Sequence, residues 1–175
     1  MKHIPNILTI LRLLACPLLI YLFYSKKHLA ILIIFLLACI TDFFDGYLAR
    51  KKNFKSNLGK ILDPIADKAL IITMCIMLII NENVQGIHKL AFYIIILGEI
   101  LVTSLRFNLY IKNKSLDVSQ LSKYKTFIQM IAISSILSYE LIPNYRLIIL
   151  FILWFAVFTS VISGIQHFKT YLKLK

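Results

Sequence analysis

Four aspartates, Asp42, Asp45, Asp63 and Asp67, stand within 26 positions of a chain that has only eight acidic residues. Asp42 and Asp45 are three apart and Asp63 and Asp67 four apart, spacings that put two side chains on one face of a helix. Two such helix ends facing each other would make a pocket of four carboxylates. Carboxylates at that density repel one another and lose hydration, which is tolerable when cations neutralise them. Hard oxygen ligands of this kind favour magnesium or manganese. The plainer alternative is local: each aspartate caps a helix or pairs with Arg50, Lys60 or Lys68. Between the two pairs lie Gly46, Ala49 and Gly59. Small residues let a flat nucleotide or a pyrophosphate approach the backbone, and they also let membrane helices pack closely.

The elements that must carry these residues are apolar. With 175 residues, 59% hydrophobic content and a mean hydropathy of +0.81, the chain has more apolar surface than one small soluble core can hide. A bilayer span takes roughly 20 mostly apolar residues. Apolar segments run over about 7–24, 29–49, 62–81, 89–111, 125–141 and 146–166, separated by the polar clusters SKKH, KKNFKSN, NENVQG, KNKSLD and IPNYR. The expected fold is all-α: a polytopic membrane protein with six transmembrane helices in one bundle. Residues 1–175 are expected to form a single membrane domain, with no repeat or linker. Asp42, Asp45, Asp63, Asp67, Glu99 and Arg106 interrupt the apolar segments or their ends, and such residues face a bundle interior. Lys2 and the apolar run that follows it lack a small-residue cleavage site, so the first helix is expected to be retained.

Net charge is +12, which raises nucleic acid as a partner, but the cations sit at the ends of apolar segments and not on a soluble basic face. No nucleic acid is expected; anionic membrane lipids and phosphate-bearing substrates fit better. With six spans, one side receives only Lys26, Lys27, Lys89 and Arg146, leaving 16 of the 20 Lys and Arg residues on the side of the termini. The positive-inside rule makes that side cytoplasmic, so the protein is expected in the cell (inner) membrane with its aspartates facing the cytoplasm. Cys16, Cys39 and Cys75 lie in apolar stretches without metal-ligand spacing and read as packing residues. The scattered His3, His28, His88 and His167, each near a segment end, read as interfacial side chains.

Read in order, Asp42-x-x-Asp45-Gly46-x-x-Ala49-Arg50, eight further residues, then Gly59-x-x-x-Asp63-x-x-x-Asp67 resembles the signature of the CDP-alcohol phosphatidyltransferase family at all eight of its positions. The resemblance implies a six-helix membrane fold, usually a homodimer, with nucleotide and metals at the cytoplasmic ends of the second and third helices. It implies that Asp42, Asp45, Asp63 and Asp67 bind Mg2+ or Mn2+ and that Asp67 is the catalytic base. It also implies that Gly46, Ala49, Arg50 and Gly59 line the CDP site.

Three further stretches resemble the bacterial branch of that family that makes phosphatidylglycerol phosphate. They are Pro5-Asn6-x-x-Thr9-x-x-Arg12, Leu62-Asp63-Pro64-Ile65-Ala66-Asp67-Lys68 and Lys123-x-Lys125-Thr126-x-x-Gln129. Ser122 stands where that branch usually carries glycine, and Gly98 where a basic residue is common. The substrates implied are CDP-diacylglycerol and glycerol 3-phosphate. An acceptor bearing a phosphate dianion calls for cations, and Arg106, Lys123 and Lys125 are the candidates for its phosphate. Alternatives stand beside each: Lys123 and Lys125 as head-group anchors, and Arg106 as the ion-pair partner of Glu99 seven residues earlier. Serine or an inositol phosphate is the alternative acceptor. A divalent-cation transporter is the alternative of another class, since membrane aspartates also mark ion paths; a non-catalytic relative serving only as a membrane partner is the third.

Overall fold

The computed structural model describes residues 4–52, 57–81, 84, 86–111, 120–139 and 145–174, with side chains described except at 4–8, 42–52, 57–64, 110, 120 and 174. It is all-helical in the described residues: α1 (Ile4–Tyr24), α2 (His28–Lys52), α3 (Asn57–Ile80), α4 (Ile87–Ile111), α5 (Gln120–Tyr139) and α6 (Arg146–Leu174). Each matches one apolar segment, but α2 and α6 run on and α3 and α5 begin earlier than their apolar stretches. Hydropathy marks where a helix leaves apolar surroundings; the helix itself continues while its backbone hydrogen bonds do. The extensions matter, because they put Asp42 and Asp45 inside α2, and Asp63 and Asp67 inside α3.

The α1–α2 turn is closed by backbone hydrogen bonds from Lys27 to Leu22 and from Lys26 to Phe23, with Lys26 at φ 54°. This is the paired hydrogen-bond cap that ends a helix on a left-handed residue. It reverses the chain within a few residues.

Helix neighbours close a ring: α1 packs on α2 and α3, α3 on α4, α4 on α6, α6 on α5, and α5 returns to α2 while also touching α3. All six helices feed one core, through Leu19, Phe35, Met74, Phe92, Ile133 and Leu153 among others. The exterior is apolar as well. Leu97 and Phe107 on α4 and Leu147, Phe151 and Phe158 on α6 are exposed, Leu147 at 83%, an apolar surface far beyond the scattered residues of a soluble monomer. Among the described residues, Ile87–Leu109 and Arg146–Lys173 are long and apolar enough to cross a membrane, and Thr9–Tyr24 and His28–Thr41 are shorter apolar helices.

Candidate active site

The bundle interior is divided lengthwise. Its buried polar residues are Thr9 and Arg12 on α1, Glu99 on α4, Lys125 and Gln129 on α5, and Thr159, Ser160, Ser163 and His167 on α6. They fall in the first half of the odd-numbered helices and from the middle onward in the even-numbered ones. Successive helices that alternate in direction bring those halves to one end of the bundle, the end where α2 finishes and α3 starts. The aspartates lie along those same two helix ends.

Asp67, on the third turn of α3, is half-buried and accepts a hydrogen bond at Oδ1 from the guanidinium of Arg12, which is itself buried. Arg12 and Thr9 are one turn apart on α1, so the stretch Thr9-x-x-Arg12 presents one buried polar face to α3. An arginine that holds one carboxylate oxygen fixes the direction of the other. Asp42, Asp45 and Asp63, and with them Gly46, Ala49, Arg50 and Gly59, have side chains outside the described residues. The helical backbone does carry Asp42 with Asp45, and Asp63 with Asp67, at spacings that share a helix face.

A second cluster centres on Glu99, fully buried in the middle of α4. Its Oε1 lies 2.7 Å from Nζ of Lys125 and accepts a 3.0 Å hydrogen bond from Nε2 of Gln129, while its Oε2 pairs with Lys68 of α3. Lys125 and Gln129 are one turn apart on α5 and so reach the same oxygen. Burial of a carboxylate without partners would be prohibitive; two ammonium groups and an amide satisfy this one. Lys68 is adjacent to Asp67, so the two clusters share α3 as their common wall.

An ion pair of Glu99 with Arg106, seven residues on along the same helix face, was the alternative that the sequence offered for both residues. Among the described residues its carboxylate pairs with Lys68 and Lys125, because those cations come from facing helices and reach across the interior. Arg106 lies two turns further along the same helix; its Nε is buried without a hydrogen-bond partner among the described residues. The two lysines grouped together by sequence also part company. Lys125 is 2% exposed at the heart of the cluster, whereas Lys123 is exposed. His167, read as an interfacial side chain, is 2% exposed, and its Nε2 lies 2.5 Å from Oγ of Ser122. Lys68 as a partner of Glu99, Gln129, Ser122 and His167 are the participants that sequence left unassigned. Lys68 and Gln129 did carry a signal, standing in stretches that resemble the family's bacterial branch, and Ser122 stands beside one; for His167 the signal was polarity near the end of an apolar segment.

Close contact of α4 and α6 holds this end together. A Cβ on Gly98 would come within 2.8 Å of Oγ of Ser160, so glycine permits the approach one residue before Glu99.

A model of the CDP-alcohol phosphatidyltransferase family matches residues 2–162. The chain is 43% identical over 175 residues to a protein of Rickettsia typhi, covering 97% of each chain. It is 40% identical over 176 residues to one of Wigglesworthia glossinidia brevipalpis, covering 98% of this chain and 92% of the relative. Identity to a Bacillus subtilis protein is 33% over 188 residues, covering 97% and 95%. All three relatives are named CDP-diacylglycerol–glycerol-3-phosphate 3-phosphatidyltransferase.

Proposed function

We infer the reaction from a family membership: this chain belongs to the CDP-alcohol phosphatidyltransferases. It transfers a phosphatidyl group from CDP-diacylglycerol to glycerol 3-phosphate, giving phosphatidylglycerol phosphate and CMP. The observation that carries this reading is the near full-length similarity to relatives bearing that reaction as their name.

The whole chain, residues 1–175, acts as a single membrane domain. Its six helices cross the inner membrane as one bundle, with the polar end in the cytoplasm. The apolar exterior of α4 and α6 and the bias of basic residues toward the side of the termini support that placement. Two copies associate as a homodimer, as the family resemblance implies.

The donor set fits a divalent cation: four carboxylates, all hard oxygen ligands, at helical spacings on two successive helices. Magnesium or manganese held by Asp42, Asp45, Asp63 and Asp67 would offset charge on the diphosphate and on the departing CMP. Gly46, Ala49, Arg50 and Gly59 line the CDP site. The acceptor's phosphate is drawn by Arg106 and Lys125, with Lys123 at the rim. Its hydroxyl oxygen bonds to the phosphorus that carries diacylglycerol as the bond from that phosphorus to CMP breaks, and the electron pair leaves on CMP. Asp67 takes the hydroxyl proton, and its hydrogen bond from Arg12 holds it in position to do so.

Purified protein supplied with CDP-diacylglycerol and one alcohol at a time tests the acceptor. CMP release with glycerol 3-phosphate, and not with serine, inositol phosphate or glycerol, is the expected result. Turnover confined to another alcohol would overturn the assignment.

A further inference from the structure

The Glu99 cluster carries an imbalance. Lys68 and Lys125 bring two cations to the buried carboxylate of Glu99, and Arg106 stands two turns further along α4. The other described carboxylate at this end, Asp67, is engaged by Arg12. Among the described residues the cations of this cluster outnumber its carboxylate, and a phosphate dianion would balance them. The buried Nε of Arg106 is a donor still lacking an acceptor within the described protein.

Helix α6 borders the same space. His167 is buried; its partner Ser122 stands one turn before Lys125 on α5, and the close approach of Gly98 to Ser160 sets α6 beside α4, the helix that carries Arg106. Its Nε2 is engaged by Oγ of Ser122, which lies 3.4 Å from Oγ of Ser163 one turn before His167 on α6. In the arrangement in which Ser163 donates to Ser122, Ser122 is left to donate to Nε2 of His167. That order fixes the tautomer, leaving the proton on Nδ1. The described residues give Nδ1 no partner of its own. In that tautomer Nδ1 is a donor at the same end of the bundle as Lys125 and Arg106, an arrangement that suits a phosphate oxygen.

We infer that His167 is an acceptor-binding residue, donating from Nδ1 to the phosphate monoester dianion that Arg106 and Lys125 also bind, with Ser122 and Ser163 as positioning residues. The inference rests on the proposed reaction and deepens it: it extends the acceptor pocket to α6 and requires an acceptor that carries a phosphate monoester.

Steady-state kinetics of the full-length protein, varying each substrate in turn, test it. His167→Phe, which keeps a ring of similar size without a donor, should raise KM for glycerol 3-phosphate by roughly tenfold or more, in line with loss of a hydrogen bond to a charged group. KM for CDP-diacylglycerol should stay unchanged. His167→Asn, whose amide nitrogen can occupy the place of Nδ1, should recover most of the loss. Ser122→Ala, which releases the tautomer without removing the ring, should raise the acceptor KM several-fold, and it decides the matter if the phenylalanine variant does not fold. An unaltered acceptor KM in the variants that fold, or equal changes in both substrates' KM, would make His167 a packing residue and overturn the inference. A wild-type protein that ignores glycerol 3-phosphate altogether would instead overturn the proposed reaction, and the inference with it.

Discussion

At the scale of single residues, the account turns on what each charged side chain faces. Asp67 is held by Arg12 at one oxygen, so replacing it with asparagine keeps a hydrogen-bond acceptor for the guanidinium and removes the proton acceptor. Asp67→Asn should therefore fold and bind CDP-diacylglycerol while its kcat falls by about 10²- to 10⁴-fold; turnover close to wild type would reject its role as base. The two lysines that look equivalent in Lys123-x-Lys125 should behave differently. Lys125→Ala removes a buried partner of Glu99 and should lower stability by roughly 3 kcal/mol, while Lys123→Ala, at an exposed position, should stay within about 0.5 kcal/mol. Thermal melting in detergent measures both, and equal losses would contradict the placement. The aspartate spacing was legible in the sequence because i, i+3 and i, i+4 relations need nothing beyond one helix. The partners of Glu99 were not, because Lys68 and Lys125 reach it from other helices, and no periodicity within α4 records what faces it.

At the scale of elements, six apolar segments became six helices, and their order could be read directly. Their ends could not be read from hydropathy: α2 and α3 extend as helices through Ala49-Arg50 and Gly59-Lys60, where the composition already looks like a loop. Which helices touch was also beyond the sequence, since the ring order passes from α1 to α3 and from α4 to α6. Gly98 is the point where that ring is tightest. Gly98→Ala drives a methyl group against Ser160 and should destabilise the α4–α6 contact by about 1–3 kcal/mol, displacing Glu99 and reducing activity. Adding Ser160→Ala, which removes the obstructing oxygen, should restore most of both. A double variant no better than the single one would place the strain elsewhere.

At the scale of the whole molecule, a polar end and an apolar remainder share one bundle, and the polar end is the one where α2 finishes and α3 starts, the two helices that carry the aspartates. In the proposed topology the bias of basic residues turns that end toward the cytoplasm. In intact cells a single cysteine replacing Lys27, in a background lacking Cys16, Cys39 and Cys75, should react with a membrane-impermeant thiol reagent. One replacing Lys173 should react only after permeabilisation; the reverse pattern would invert the topology. Composition alone announced the membrane, because a chain this apolar has nowhere else to put its surface, whereas the reaction became readable only when eight residues at fixed spacing were joined to relatives of known name. The central claim is that this bundle joins CDP-diacylglycerol to glycerol 3-phosphate under the control of cation-binding carboxylates. Its most direct measurement follows radiolabelled glycerol 3-phosphate into the lipid fraction of purified protein in magnesium, counted against CMP released, with and without chelator. One label entering lipid per CMP, ceasing when the cation is removed and returning when it is restored, is the predicted result. Label that never enters lipid, or that enters equally well in chelator, would contradict the account.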